Sequence, residues 1–456
     1  MRCIVLITLL VSIAFSAQSQ KLIDIYKKGT IKLVADTEYG KNNNWNKVLS
    51  TYNDTLYGKH MGNRKNIQVL PDGSVVVSHA YRNFYSLFDA KGNFVKEFKV
   101  TNNSGKELKV KQLAGVLDNS ILFTGLDNMG YMKCFDFDGH LLKTLRLNYI
   151  TKQMLPLPGK KIAVVGWAIW ADRFRDFVAI VDYETNEEQY IWNHYTPRNN
   201  DKKVPFAYSH RFKKGGAVSM RTMPFMNNLG LRPAPQLTFA NNRLIVAIPP
   251  TGEIIEFSLD GKKLSSKKVN WNANQISINE QNKIQKKAIA GIKANLKRMS
   301  SPDYLKKLEA ATRKTAKLQN SSAKELEEML NKVRTQHKEQ KEKMMEAYSA
   351  MLKDMEKDLP KINKAIPKPF FSSCITDSDG NILFFEYPEK GKSNKLNVYS
   401  LDNGGKFICT STFECNDFDL IINSGKLKFH KGYLYGIQKL KKADGIPLRV
   451  VRFKLQ

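Results

Sequence analysis

Thr376-Asp377-Ser378-Asp379-Gly380-Asn381-Ile382-Leu383-Phe384-Phe385 sets a tight polar turn directly ahead of a run of β-prone apolar residues. Asp and Gly tolerate the tight or left-handed backbone that a hairpin demands, and the run behind them supplies a strand. The pair recurs. Strands of the same kind are read at Ser74–Ser78, Ile121–Thr124, Ile162–Gly166, Leu244–Ile248 and Tyr433–Ile437, behind turns at Asp72-Gly73, Asp118-Asn119, Pro158-Gly159, Asn241-Asn242 and Lys431-Gly432. Turns at Asp89–Gly92, Asp136–Gly139, Leu259–Gly261 and Leu401–Gly404 join a third and a fourth strand in most units. Each unit is expected to be a four-stranded meander.

The steps from Val75 to Ile121 and from Ile121 to Ile162 match the period of propeller blades, about 40 to 50 residues, whereas a sandwich shows no such period. The fold class expected is all-β, a six-bladed β-propeller. Seven blades are the alternative, because the interval from Ile162 to Leu244 is twice the shorter step and Asn193–Pro235 is long enough to hold a degenerate unit. Through Leu70-Pro71-Asp72-Gly73-Ser74, Phe135-Asp136-Phe137-Asp138-Gly139-His140 and Thr376–Ile382, the chain resembles the secreted bacterial six-bladed β-propellers of the NHL-like and TolB-like group. That resemblance runs from about Asn66 to Gln456 apart from a helical segment. It implies blades around a central channel, with loops on two faces doing the recognition, and it implies no particular chemistry. Ile31–Val34 is expected to add an outer strand to the last blade and so cover an open sheet edge.

Between the fourth and fifth blades, from about Ala273 to Lys361, the apolar period changes from two to about three and a half. Ser301-Pro302 reads as a cap followed by a first-turn proline, and Ser322-Ala323-Lys324-Glu325 reads as a capping box. Leu326, Leu330, Val333, His337, Met344, Tyr348, Met351 and Met355 form one stripe with coiled-coil-like spacing. Ile284, Ile292, Leu296 and Met299, continued by Leu305, Leu308 and Leu318, can supply the facing helices. The insert is expected to fold back on itself as a helical arm. The competing reading gives Leu326, Leu330, Val333, Met344, Tyr348, Met351 and Met355 to a partner protein or to self-association. The expected organisation is a signal peptide over 1–19, the first part of the propeller over 20–271, the helical insertion over 272–362 and the last part of the propeller over 363–456.

Arg2, the apolar run Ile4–Phe15 and the small residues Ala17 and Ser19 have the order of an export signal. Cys3 precedes that run, so lipoprotein acylation is not expected. A membrane span needs roughly 20 apolar residues, and no stretch reaches that length without charges, so no transmembrane anchor is expected. The destination is the periplasm or the cell exterior. Cys134, Cys374, Cys409 and Cys415 then remain, read as buried thiols rather than a disulfide framework, with Cys409 and Cys415 the one locally plausible pair. Lys and Arg number 73 against 43 Asp and Glu, a formal charge of +30, which excludes an acidic solvating protein and favours anionic partners. The basic residues are spread as turn doublets such as Lys202-Lys203 and Lys441-Lys442, and no nucleic-acid-binding motif accompanies them.

Two groups of residues are candidates for binding. Gln68, Gln112, Gln153 and Gln236 occupy similar places on four first strands, where an amide ring could hold water or a small ligand in the channel. The alternative is that they cap backbone groups of the blades. Trp167, Trp170, Arg173 and Arg175, read as a loop reaching one face, suit a sugar ring or an anion by stacking and cation–π contact. Packing between blades is the alternative for them. No histidine pair has zinc-ligand spacing, and no catalytic residue, metal site or cofactor is expected. The function expected is exported, non-enzymatic binding of a protein or an anionic envelope polysaccharide through a propeller face and the helical arm. The alternative is a propeller hydrolase or lyase acting on a sugar or lactone in the channel.

Overall fold

The computed structural model describes residues 22–49, 65–79, 84–108, 110, 113–126, 130–169, 173–197, 207–212, 217–221, 234–301, 303–318, 322–387, 395–415, 418–420, 427–440 and 448–456. They fall into two compact units. The larger comprises Met1–Thr196, Ala234–Asn272 and Pro369–Gln456; the smaller comprises Pro197–Pro233 and Ala273–Lys368. The expected signal peptide lies outside the described residues.

The larger unit is built of antiparallel meanders. Its first sheet is Lys65–Val69, Val75–His79, Phe84–Phe88 and Phe94–Lys99, and its second is Leu113–Leu117, Ile121–Thr124, Tyr131–Phe135 and Leu141–Arg146. The third is Ile150–Leu157, Lys161–Ile169, Arg173–Asp182 and Glu188–Pro197; the fourth is Gln236–Ala240, Arg243–Ile248, Glu253–Phe257 and Lys263–Lys268. A fifth runs through Ser373–Thr376, Ile382–Phe385, Lys395–Leu401 and Phe407–Glu414. The last is Leu427–His430, Tyr433–Leu440 and Leu448–Leu455, completed by Thr30–Ala35 from the other end of the chain, with Leu33 opposite Leu455 and Ala35 opposite Phe453. Thr30–Lys32 also pair in parallel with Thr412–Glu414, which fuses the fifth and last sheets.

Local chemistry explains the meanders. At Asp118-Asn119 and Asn241-Asn242 both central residues have positive φ, the backbone of a tight two-residue hairpin, and Asn and Asp are the side chains that tolerate it. Between third and fourth strands a second device repeats. The Asp136 carboxylate accepts the N–H groups of Asp138 and His140, and Gly139 takes a φ of 89°. Asp89 does the same for Lys91 and Asn93, and Asp402 for Lys406, with Gly405 rather than the expected Gly404 at positive φ.

The middle strands bury both faces. Ile121–Thr124 and Ile382–Phe385 are buried at every residue, whereas the outermost strand Lys263–Lys268 has no buried residue. The apolar side chains therefore meet between sheets: Val76, Tyr85, Leu122 and Phe135 join the first sheet to the second, and Ile67, Val77, Tyr435 and Val450 join the last to the first. Residues 22–27 form a helical turn that adds Leu22 and Tyr26 to the core of the fifth and last sheets. There the Tyr26 hydroxyl donates to Asp377 Oδ2 at 2.8 Å. Burial, and then the Asp377 charge, push the neighbouring Asp379 carboxyl up to about 6.

In the smaller unit, helices α1 (Ile278–Ser300), α2 (Asp303–Leu318) and α3 (Ala323–Asp358) form the arm. Ser322 and Glu325 make both bonds of the capping box, and Ser277, which the sequence reading passed over, caps α1 by accepting from Glu280 N. α1 lies along the C-terminal half of α3, where Lys293 meets Glu356, and α2 along its N-terminal half, where Arg334 meets Glu309. Ile289, Ile292, Ala347, Met351 and Met355 form the core with Tyr208 of the hairpin Ala207–Arg211 and Ala217–Arg221. In the interval Asn193–Pro235, long enough in sequence for a degenerate unit, the described residues include the end of Glu188–Pro197, the fourth strand of the third sheet, and this two-stranded hairpin of the smaller unit.

Two stability predictions follow from these turns. Gly139→Ala places a Cβ against the Lys99 carbonyl, where the second sheet's turn abuts the first sheet, and forces an L side chain into a left-handed backbone. Urea unfolding is expected to show a loss of roughly 2–4 kcal/mol, and a loss below about 0.5 kcal/mol contradicts the strained contact. For Asp379 the raised carboxyl means that the folded state holds its proton to higher pH than the unfolded chain, so a destabilisation develops between about pH 4 and 6 and persists above it. Asp379→Asn is expected to gain roughly 1 kcal/mol at pH 7 after solvent screening, and to gain nothing below about pH 4.

Candidate ligand-binding channel

The innermost strands of the larger unit neighbour one another in the order 65–69, 113–117, 150–157, 236–240, 373–376, 427–430 and back to 65–69. They surround a cavity of about 720 Å³, within the range of small-molecule sites. Every one of these strands contributes lining side chains, including Asn66, Gln68, Thr151, Lys152, Gln153, Gln236, Thr238, Ser373, Thr376 and Lys428. The polar part of the lining is thus amide, hydroxyl and ammonium, set among apolar residues such as Leu126, Met154 and Phe239.

Most of the amides are already committed. Gln68, 6% exposed, donates from Nε2 to the Ala114 carbonyl on the next strand at 3.1 Å. Asn66 does the same to Leu113 at 3.0 Å. Gln153 makes a two-way bridge, donating to Leu237 O at 3.0 Å while its Oε1 accepts from Leu237 N at 2.9 Å. These side chains stitch adjacent innermost strands whose backbones do not pair with each other. Gln236 bonds only the nearby Ala234 carbonyl, and Gln112 lies outside the described residues. Thr238 and Thr376 hydroxyls bond each other at 2.6 Å across the fourth and fifth sheets.

The two lysines differ. Lys152 Nζ sits 2.9 Å from Asp176 Oδ1, a carboxylate only 3% exposed, and 5.9 Å from the ring centre of Trp167. Lys428 has no hydrogen bond or ion pair among the described residues, and burial lowers its ammonium to about 8. The Ser373 hydroxyl is likewise buried without a partner.

Trp167 and Arg175 are not in a loop. The strands Lys161–Ile169 and Arg173–Asp182 extend to pair Trp167 with Asp176 and Ala168 with Arg175, which corrects the expected loop over Trp167–Arg175 to a long hairpin. Arg175 Nε donates to Asn193 Oδ1, and its guanidinium lies 4.5 Å from the Tyr190 ring centre and 5.2 Å from that of Phe177, so its own sheet occupies it. Arg173 begins its strand; Trp170 lies outside the described residues. In the arm, Leu330, Met351 and Met355 are buried within the smaller unit, while Leu326, Val333, Met344 and Tyr348 are half-buried.

Asp136, Asp138 and His140 place ligand-type atoms within 4.8 Å of one another. Asp136 is spent on its own turn, and Asp138 pairs with Lys96, so the cluster is accounted for as a turn. Cys134, Cys374, Cys409 and Cys415 form no disulfide among the described residues, and burial pushes Cys134 up to about 12. No helix among the described residues is long and apolar enough to cross a membrane.

Four-stranded antiparallel sheets whose innermost strands surround a cavity place the larger unit in the β-propeller class. No protein-family model matches the chain, and no curated protein matches it. Among solved structures, it is similar to a member of the DUF4221 family from Bacteroides vulgatus, at 10% identity and a TM-score of 0.45, with 94% of this chain and 99% of that one covered. A putative exported protein from Bacteroides fragilis is also similar, at 10% identity and a TM-score of 0.41, with 87% and 90% covered. A streptogramin B lyase follows at 11% identity and a TM-score of 0.35, with 87% and 95% covered. Likeness at this level says nothing about what the chain binds or converts.

The lone ammonium of Lys428 has a measurable cost. Its lowered folded-state value means that the unfolded chain binds the proton more tightly between about pH 8 and 10, so stability rises with pH across that window. Lys428→Met is expected to stabilise the protein by roughly 1–3 kcal/mol at pH 7, with the gain vanishing by about pH 10.5. Urea unfolding at pH 7, 9 and 10.5 reads this directly; a gain that does not shrink with pH would assign the effect to packing.

Proposed function

We propose that the chain is an exported, non-enzymatic binding protein built on a six-bladed β-propeller, and that it recognises an envelope polysaccharide at its central channel. The cyclic succession of innermost strands favours six blades over seven. The carrying observation for binding is the composition of the channel: among the described residues its lining carries the lysines 152 and 428 and the Cys374 thiol, and no carboxylate. Glycoside cleavage ordinarily uses a pair of carboxylates flanking the scissile bond, and a calcium-assisted reaction uses clustered oxygen ligands that include carboxylates. Amides, hydroxyls and ammonium groups instead suit hydroxyl-rich ligands that are held and released unchanged. The channel therefore favours binding over the hydrolase or lyase reading. The arm is given a smaller part than its sequence suggests, because Leu330, Met351 and Met355, three of the seven seam residues, are buried inside the smaller unit.

The test is incubation of the purified protein with fractionated envelope polysaccharides. Calorimetry is expected to show saturable binding to at least one fraction, with no release of reducing ends or unsaturated products over a day. Product release at a rate above the protein-free control would overturn the non-enzymatic reading, and failure to bind any fraction would overturn the ligand class. Export is checked by N-terminal sequencing of the secreted or periplasmic material, expected to begin near Gln20. Recovery of Met1 contradicts it.

A further inference from the structure

We propose that Lys428 anchors the carboxylate of a hydroxylated monoacid, a uronic-acid sugar or a close relative, inside the channel. The proposal rests on the binding reading above and narrows it to one ligand chemistry. Lys428 is carried by the short innermost strand Leu427–His430, whose Leu427 and Phe429 pack in the core of the fifth and last sheets. The backbone under the ammonium is therefore held by packing on both sides, and Lys428 lines the cavity from a fixed strand rather than from a loop.

The charge arithmetic selects the ligand. Lys152 is neutralised by Asp176 at 2.9 Å, whereas Lys428 has no counter-ion among the described residues. A largely buried, unpaired ammonium is costly, and a partner that supplies one negative charge together with hydrogen-bond acceptors relieves that cost. One unmatched positive charge calls for a monoanion, which favours a carboxylate over a phosphate dianion. Elsewhere on its lining the cavity carries Thr151, whose hydroxyl is able to bond sugar hydroxyls. A volume of about 720 Å³ accommodates one or two sugar rings rather than a metabolite of a few atoms. Burial has lowered the Lys428 ammonium, and an incoming carboxylate raises it again and keeps it charged to higher pH.

The experiment uses the full chain with D-glucuronate and D-galacturonate as probes, D-glucose as the neutral control and inorganic phosphate as the anion control, read by calorimetry and by thermal shift. At least one uronate is expected to bind about tenfold or more tightly than glucose, because the site then gains a charged pair rather than a neutral contact. Lys428→Met is expected to lose about thirtyfold or more of the uronate affinity. Lys428→Arg, which keeps the charge, is expected to retain most of it. Equal binding of uronate and glucose, undiminished uronate binding by Lys428→Met, or phosphate binding more tightly than either uronate would each overturn the proposal. If Lys428→Met does not fold, the comparison of uronate with glucose on the unaltered chain and the Lys428→Arg result still decide it. Binding of a neutral envelope glycan without any preference for uronates defeats this inference and leaves the binding function standing. Binding of no glycan at all defeats both.

Discussion

The structure depends on burial of both faces of the second strand in each sheet. Ile121–Thr124 and Ile382–Phe385 are buried at every residue, so each sheet depends on the sheets before and after it. The hydrophobic stabilisation therefore belongs to the interfaces, and the sheets hold one another in cyclic succession. Removing apolar contact at one interface, for example around Ile67 and Tyr435, weakens the sheets on both of its sides. The same dependence explains why the polar channel is tolerated. Stability comes from the ring of interfaces, which leaves the innermost strands free to carry amides and lysines.

Those amides serve the architecture before they serve a ligand. Gln68 and Gln153 cross to backbone groups of the neighbouring strand, in places where adjacent sheets have no ladder hydrogen bonds between them. Recognition is left to groups outside that network. Among the described residues Lys428 is the lining group whose hydrogen-bonding capacity stays unspent most conspicuously. A glutamine that looks like a ligand-binding residue in sequence can thus be a seam between sheets, while a lysine that looks like ordinary surface charge sits in the cavity.

The local parts of the fold were legible because their signals are local. Asn241-Asn242 and Asp118-Asn119 dictate tight hairpins from two residues, and Ser322 with Glu325 dictates a helix start from four. Pairing between distant segments left weaker traces. An apolar run at Ile31–Val34 shows that a strand exists, but nothing nearby reveals its second, parallel pairing with Thr412–Glu414. The interval that holds the hairpin Ala207–Arg211 and Ala217–Arg221 left the blade count open in sequence, because its length matches a multiple of the repeat period while the packing of Tyr208 with Ile292 and Met351 leaves no local trace. Lys428 was invisible as a site for the same reason. In Leu427-Lys428-Phe429-His430 the alternation reads as a half-exposed strand, and closure of the ring turns its polar side to a cavity.

The pairing of Leu33 with Leu455 joins residues separated by nearly the whole chain. A growing polypeptide makes Thr30–Ala35 long before its partner Leu448–Leu455, so the final sheet waits for that later strand. Contacts of such long sequence separation slow folding, because the entropy of closing the loop is lost before any contact repays it. Until then the early strand presents an open hydrogen-bonding edge, the feature that draws chains into aggregates. A chain built this way gains from being kept extended until Leu448–Leu455 is available to cover the edge of Thr30–Ala35.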